Sequence, residues 1–324
     1  MTLSIGTPQF TSALRRAIAA ALAALFLCAP LPAVAQEKPA QEKTGKKDAK
    51  PDLSQKEDGK LPTDKDLEKR KAEAKAAQAK LSPVELLVET SIFAYGGRKA
   101  LENARGAIQE QGTIRLASDQ GDLTGTVNLR AMRREKSWQD LLRVDLEMAP
   151  PGAADSGRPA VKYIIGFNGA SVWSAQNGQY ITLTPTAERA FRAQLTHEYM
   201  ALLRYKEDGS KIELVGPDTV VGVDTNMIDL TTPTGDKTRY WISTKTYRII
   251  QCEYEVKLDD GQPPTKYLLK YYYTPFKVVQ NTLVPVRRVM TQDGKFVQEI
   301  TLTNIIYSAK LDPEVFQHLQ EQQQ

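Results

Sequence analysis

Histidine and cysteine are scarce in this sequence of 324 residues, which contains two of each. His197 and His318 lie far apart, so a Ser-His-Asp or Cys-His site would depend on a single imidazole. A zinc site would have to draw on the same few side chains. The sequence also lacks a nucleophile elbow, a GxGxxG motif and a phosphate-binding lysine loop. We therefore predict no catalytic residue, no metal site and no cofactor.

A strong excess of charge of one sign is also lacking, since the formal net charge is +4. Two of the basic residues, Arg15 and Arg16, lie in the first 35 residues, which contain no acid. The rest of the chain is close to neutral, whereas nucleic-acid binding needs a basic face. This balance predicts no nucleic-acid partner.

Residues 1–35 have the pattern of a secretory signal, with the arginine pair, a short apolar run and small residues before a cleavage site near Ala35. The run is too short to span a bilayer comfortably. The surroundings of the arginine pair fit a twin-arginine signal poorly. Lipidation of Cys28 would anchor the chain in a membrane, but Leu27 stands where a small residue is expected. We expect an exported chain whose one remaining thiol, Cys252, is buried.

Residues 36–81 form a charged, low-complexity segment without aromatic residues. Such a segment cannot bury enough apolar surface to offset the entropy of ordering, so we predict a disordered linker. It is either a spacer, which we favour, or a docking tail for a protein partner. We expect a folded domain over residues 82–316 and a frayed tail over residues 317–324.

Alternating apolar and polar residues dominate the predicted domain, as in the run from Cys252 through Tyr254 and Val256 to Leu258. This period of two is typical of strands with one buried face. Asn-Gly and Asp-Gly dipeptides between such runs predict hairpins. We predict a mainly β fold of about ten or eleven antiparallel strands, which must curl into a curved sheet or half-barrel.

Helical patterns are predicted at two places in this β-rich domain. Ser82, Pro83 and Glu85 form a capping box for a helix that ends at a pair of glycines, and a second short helix follows. A longer helix is predicted over residues 186–205, in the middle of the strands. A helix over a concave apolar sheet would make a pocket for an apolar ligand.

The order of these elements resembles the periplasmic lipoprotein-carrier superfamily, which includes outer-membrane lipoprotein-sorting proteins and sigma-factor regulators that sense envelope stress. The resemblance covers residues 82–316 and is carried by short motifs of turn glycines and sheet apolar residues: Tyr95-Gly96-Gly97, Phe167-Asn168-Gly169, Glu213-Leu214-Val215-Gly216, Arg239-Tyr240-Trp241, Leu283-Val284-Pro285 and Leu311-Asp312-Pro313. It implies a periplasmic protein that holds acyl chains between the sheet and a helical lid.

We therefore predict a non-enzymatic, monomeric binding protein for acyl chains of a lipid or lipoprotein. The candidate ligand contacts are Phe191, Leu195 and Met200 on the lid, with Trp173, Ile242 and Tyr271 on the sheet. For Trp173 and Tyr271 we favour a purely structural role, as aromatic cross-strand pairs that stabilise the sheet, over contact with a ligand. One alternative function is a scaffolding or stress-sensing module that binds another envelope protein through the linker. A hydrolase with an unrecognised site is the other.

Overall fold

A computed structural model describes residues 81–118, 121–149, 160–258, 261–271 and 275–317. The predicted signal peptide with Cys28, nearly all of the linker and nearly all of the tail lie outside the described residues. His318 and the tyrosines at positions 272 and 273 also lie outside them.

Two helices precede the first strand. Helix α1 (Pro83–Ala94) begins at the predicted capping box, in which the Ser82 side chain accepts from the Glu85 amide and the Glu85 carboxylate accepts from the Ser82 amide. Helix α2 (Arg98–Ala104) follows after the glycine pair. The capping box satisfies two amides that a helix start otherwise leaves unpaired, which is why the sequence marks this boundary well.

The described residues contain fifteen strands. The first six are β1 (Ala107–Leu116), β2 (Leu123–Met132), β3 (Leu141–Ala149), β4 (Val161–Phe167), β5 (Val172–Gln176) and β6 (Gln179–Tyr180). The next five are β7 (Lys211–Val220), β8 (Val223–Thr231), β9 (Lys237–Ser243), β10 (Ile249–Val256) and β11 (Thr265–Lys270). The last four are β12 (Phe276–Val279), β13 (Thr282–Pro285), β14 (Arg287–Gln292) and β15 (Lys295–Tyr307).

Thirteen of these strands form one curved antiparallel sheet in the order β6-β5-β4-β3-β2-β1-β15-β14-β11-β10-β9-β8-β7. Pairing of β1 with β15 joins an N-terminal meander to a C-terminal one. Strands β12 and β13 form a separate hairpin. The predicted mainly β fold with a large curved sheet and a few helices is confirmed. The number of strands is higher than the ten or eleven predicted, since the described residues contain fifteen.

Strands β6 and β7 are consecutive along the chain but form opposite edges of the sheet. The connection between them therefore has to cross from one edge to the other. It carries three helices, α3 (Pro185–Thr196), α4 (Tyr199–Leu203) and α5 (Tyr205–Asp208). We call residues 185–208 the lid, and the sheet face that packs against it the inner face.

The lid was predicted as one helix but is broken after α3, although no glycine or proline lies at the break. The peptide carbonyls of His197 and Glu198 lie at this break, and both accept a hydrogen bond from a side chain of the sheet. The Cys252 thiol donates to the first of them over 3.3 Å and the Tyr240 hydroxyl to the second over 3.0 Å. Because these partners come from strands distant in sequence, local propensity could not show the break.

The largest core cluster lies between the helices and the inner face of β8 to β11. It includes Val88 and Ile92 of α1, Leu202 of α4 and Tyr240 of β9. Cys252, predicted to be buried, is also part of it. Within the described ranges, no helix combines the length and the apolar character needed to cross a membrane.

Candidate ligand cavity

A cavity lies between the lid and the inner face of β1, β2, β3, β14 and β15, beside the packed core. The volume of the cavity is about 160 Å³, counted as the space that the centre of a water molecule can reach. At about 10–15 Å³ of such volume per water, the space is equivalent to roughly ten water molecules or a few more. It is therefore large enough for an extended apolar ligand rather than for a single trapped solvent molecule.

The strand wall of the cavity is apolar because inward-facing residues of neighbouring strands lie side by side. Leu146 on β3 is paired with Val127 on β2, and Val144 on β3 is paired with Leu129 on β2. On β1, the residue beside Leu129 is charged, because Leu129 is paired with Glu110. All five residues line the cavity.

The three predicted lid contacts all line the cavity. Phe191 and Leu195 lie one turn apart on α3, and Met200 lies on α4. Phe191 is buried against Phe167 and Ile165 of β4, whereas Leu195 and Met200 are only partly buried. The lid thus presents an apolar surface to the strand wall.

The three predicted sheet contacts are buried but do not line this cavity. The Trp173 indole donates to the Phe316 carbonyl over 2.9 Å, so Trp173 holds the C-terminal segment. Ile242, on β9, is part of the packed core. Tyr271 packs edge-on against Tyr199, with ring centres 5.5 Å apart, and so stands behind the cavity wall.

An ion pair lies in the apolar wall, where the sequence analysis predicted no polar site. The Arg288 guanidinium on β14 donates to both carboxylate oxygens of Glu110 at 2.8 Å. It also lies 3.5 Å from a carboxylate oxygen of Glu198 on the lid. Withdrawal from water raises the pKa of the Glu198 carboxyl, although Arg288 opposes this shift. The pair therefore connects two strands with the lid.

A second arginine, Arg105, lies at the same end of the cavity and is almost fully buried. Its guanidinium donates to the Tyr199 hydroxyl at 3.3 Å and to the Leu283 carbonyl at 3.0 Å. It also contacts the Met200 sulfur. The rings of Tyr199 and Tyr307 lie 5.6 and 5.1 Å from the guanidinium carbon, within the range of cation–π contacts.

Another polar cluster ties the end of the lid to the connection between β2 and β3. The buried Arg204 donates to the Asp140 carboxylate at 2.5 Å and to the Arg134 carbonyl at 2.8 Å. The Asp208 carboxylate accepts from the Ser137 amide at 2.9 Å. Burial raises the pKa of Asp140 to about 6 even though Arg204 favours its charged form.

The charged neighbours of His197 along the predicted lid helix favour a surface position, but His197 is buried and does not line the cavity. Its ring stacks on Tyr254, with centroids 4.2 Å apart, and its Nδ1 lies 2.6 Å from the Thr238 hydroxyl. Burial lowers the pKa of His197 to about 4 and raises the pKa of the Cys252 thiol to about 12. Within the described ranges, no three His, Cys, Asp or Glu side chains are grouped as metal ligands.

Arg105, Glu110 and Arg288 were not among the predicted site residues. For two of them the sequence does contain an indication of a polar site, because Glu110 and Arg288 occupy inward positions of strands where an apolar residue is expected. A charged residue in such a position needs a partner or a role. For Arg105, which follows a short helix, the sequence pattern contains no comparable signal.

No protein-family model and no curated protein matches this chain. Among solved structures, it is similar to a DUF1329 family protein from Desulfovibrio piger, with 12% identity, 74% of this chain and 98% of that chain covered, and a TM-score of 0.47. It is similar to an outer membrane lipoprotein-sorting protein domain from Vibrio parahaemolyticus, with 12% identity, coverages of 71% and 97%, and a TM-score of 0.44. It is also similar to a LolA superfamily protein from Nitrosomonas europaea, with 15% identity, coverages of 68% and 96%, and a TM-score of 0.43.

Proposed function

We propose that this protein binds an acyl chain of a lipid or lipoprotein in the cavity between the lid and the inner face of the sheet. The single observation that carries this proposal is the apolar cavity, with Phe191 and Leu195 on one side and Val127 and Val144 on the other. Removing an aliphatic chain from water against such walls is favourable in proportion to the apolar area buried.

The signal-like segment of residues 1–35 supports a site of action in the periplasm, and we propose cleavage near Ala35. We further propose that the protein acts by binding rather than by catalysis. In support, His197 is enclosed by Tyr254 and Thr238, away from the cavity, where it could not transfer a proton to a ligand.

A charged residue on the lid tests the proposal directly. Leu195→Asp would place a carboxylate in the cavity at a partly buried position, so the lid should still fold. Desolvation of that carboxylate by an acyl chain would be costly, and we expect binding of a neutral apolar fluorophore such as N-phenyl-1-naphthylamine to weaken at least about tenfold.

Leu214→Asp is the matched control, because Leu214 lies on edge strand β7, is 49% exposed and does not line the cavity. We expect it to bind the fluorophore as the unmodified protein does. If the folded Leu195→Asp protein binds the fluorophore as tightly as Leu214→Asp does, the cavity is not the binding site and the proposal is wrong.

A further inference from the structure

The polar end of the cavity contains buried atoms that have no hydrogen-bond partner among the described residues. These atoms are Nε of Arg105, Nε of Arg288, Oε1 of Gln298 and the hydroxyl of Tyr307. All four residues line the cavity, and each is more than nine-tenths buried. A buried polar atom without a hydrogen-bond partner costs free energy, so a cluster of such atoms in a ligand cavity points to a group that the ligand supplies.

Arg105 and Arg288 differ in how their charge is compensated. Arg288 has Glu110 and Glu198 as ionic partners. No carboxylate of the described residues comes within ion-pair distance of Arg105, which is only 1% exposed. Tyr199, Tyr307 and a peptide carbonyl surround its guanidinium, and none of them carries a full negative charge. A buried arginine cannot lose its proton, so this charge requires an anion or carries a large penalty.

We propose that the acyl ligand is a single-chain carboxylate, a free fatty acid, whose head group binds to Arg105 beside the Tyr307 hydroxyl. This inference rests on the proposed function, because the chain occupies the apolar part of the same cavity. The carboxylate accepts from the Arg105 guanidinium and the Tyr307 hydroxyl, and the ion pair that forms is shielded from water. Charge-assisted hydrogen bonds of this kind are stronger than neutral ones.

A single negative charge fits this site better than a phosphate does. Glu110 is close enough to Arg105 to act on its pKa, and Glu198 lies beside Arg288. Two arginines and two glutamates already lie at this end of the cavity, so one further negative charge is tolerated more easily than two. A doubly charged phosphate would face Glu110 with an excess of negative charge in a region of low dielectric, where repulsion is strong.

The test compares three ligands with the same twelve-carbon chain: dodecanoate, methyl dodecanoate and dodecyl phosphate. Each is measured below its micellar concentration at pH 8, by displacement of N-phenyl-1-naphthylamine from the full chain. We expect the acid to bind about tenfold or more tightly than the ester, and also more tightly than the phosphate. Arg105→Met should bring the acid and the ester to within about twofold of each other.

Tyr307→Phe provides a second variant, since it removes only a hydroxyl that lacks a partner and should fold even if Arg105→Met does not. We expect it to weaken dodecanoate about threefold or more and to leave the ester unchanged. Equal binding of acid and ester by the unmodified protein would overturn the carboxylate site while acyl binding stands. Tighter binding of the phosphate would also overturn it. Failure of all three ligands to bind would instead contradict the proposed function itself.

Discussion

Arg288 on β14 and Glu110 on β1 form a buried ion pair across the intervening strand β15, with both carboxylate oxygens 2.8 Å from one guanidinium nitrogen. We expect Glu110→Gln to lower the free energy of unfolding by about 3–5 kcal/mol, because it leaves the Arg288 charge buried and only partly compensated by Glu198. Arg288→Met should cost less, since a buried carboxyl can take up a proton and arginine cannot lose one. Urea denaturation measures both.

A more exposed pair, which joins β14 to β15, is the control for this prediction. Arg287 donates to the Glu299 carboxylate at 2.9 Å, and the Arg287 side chain is 36% exposed. Glu299→Gln should therefore cost about 1 kcal/mol or less. Equal losses of stability for Glu110→Gln and Glu299→Gln would show that burial of the Arg288–Glu110 pair does not increase the cost of breaking it.

The buried His197 should make the protein sensitive to acid. Its pKa is about 4 in the folded protein against 6.5 for an exposed histidine, so the unfolded chain binds more protons between these values. His197 alone should therefore contribute a loss of about 2 kcal/mol between pH 7 and pH 5, and Asp140, whose pKa is raised to about 6, should offset part of this loss.

His197→Gln should remove this part of the pH dependence. The measurement is the difference in unfolding free energy between pH 7 and pH 5, compared for the two proteins. Denaturation of the His197→Gln protein at pH 7 will also measure the stability that is lost with the stacking of His197 on Tyr254. Identical pH dependence in both proteins would mean that His197 titrates normally.

Gly96 is placed where no other residue fits. Its φ is +115°, and a Cβ added there would lie 2.2 Å from the Asn281 carbonyl oxygen in the loop before β13. The neighbouring Gly97 also has a positive φ, +83°, but a Cβ there would meet nothing within 4 Å. Gly97→Ala should cost about 1–3 kcal/mol through backbone strain alone, and Gly96→Ala should cost more because it adds a steric clash.

Urea denaturation of the two alanine variants measures this difference. The comparison explains why a glycine pair follows α1: one glycine turns the chain, and the other lets the β12–β13 hairpin approach. A smaller loss for Gly96→Ala than for Gly97→Ala would contradict the close approach.

The parts of the fold that local chemistry determines were predictable from the sequence. The capping box at Ser82 and the glycine after Tyr95 fixed the limits of α1, and alternation placed Cys252 and Tyr254 on a buried face. The Asn-Gly dipeptide at Asn177 marked a turn, which the structure places between β5 and β6 with Asn177 at φ +49°. These features depend on residues that are adjacent or a few positions apart.

The polar part of the cavity could not be predicted in this way. Arg288 and Glu110 are 178 positions apart and meet only because β1 pairs with β15 in the middle of the sheet. The break in the lid likewise depends on Tyr240 and Cys252, which come from the opposite side of the core. Phe191 and Leu195 could be assigned to one face of the lid from the sequence, because helical spacing is a local property.

Native mass spectrometry of the protein, purified without detergent from cells that produce it naturally, tests acyl binding most directly. We expect bound species whose extra mass corresponds to acyl-bearing molecules, lost after solvent extraction and restored by adding a fatty acid. The same preparation of Leu195→Asp should carry little or none of this mass, and Leu214→Asp should carry as much as the unmodified protein. A ligand-free mass that stays unchanged after incubation with fatty acid would contradict acyl binding in the cavity.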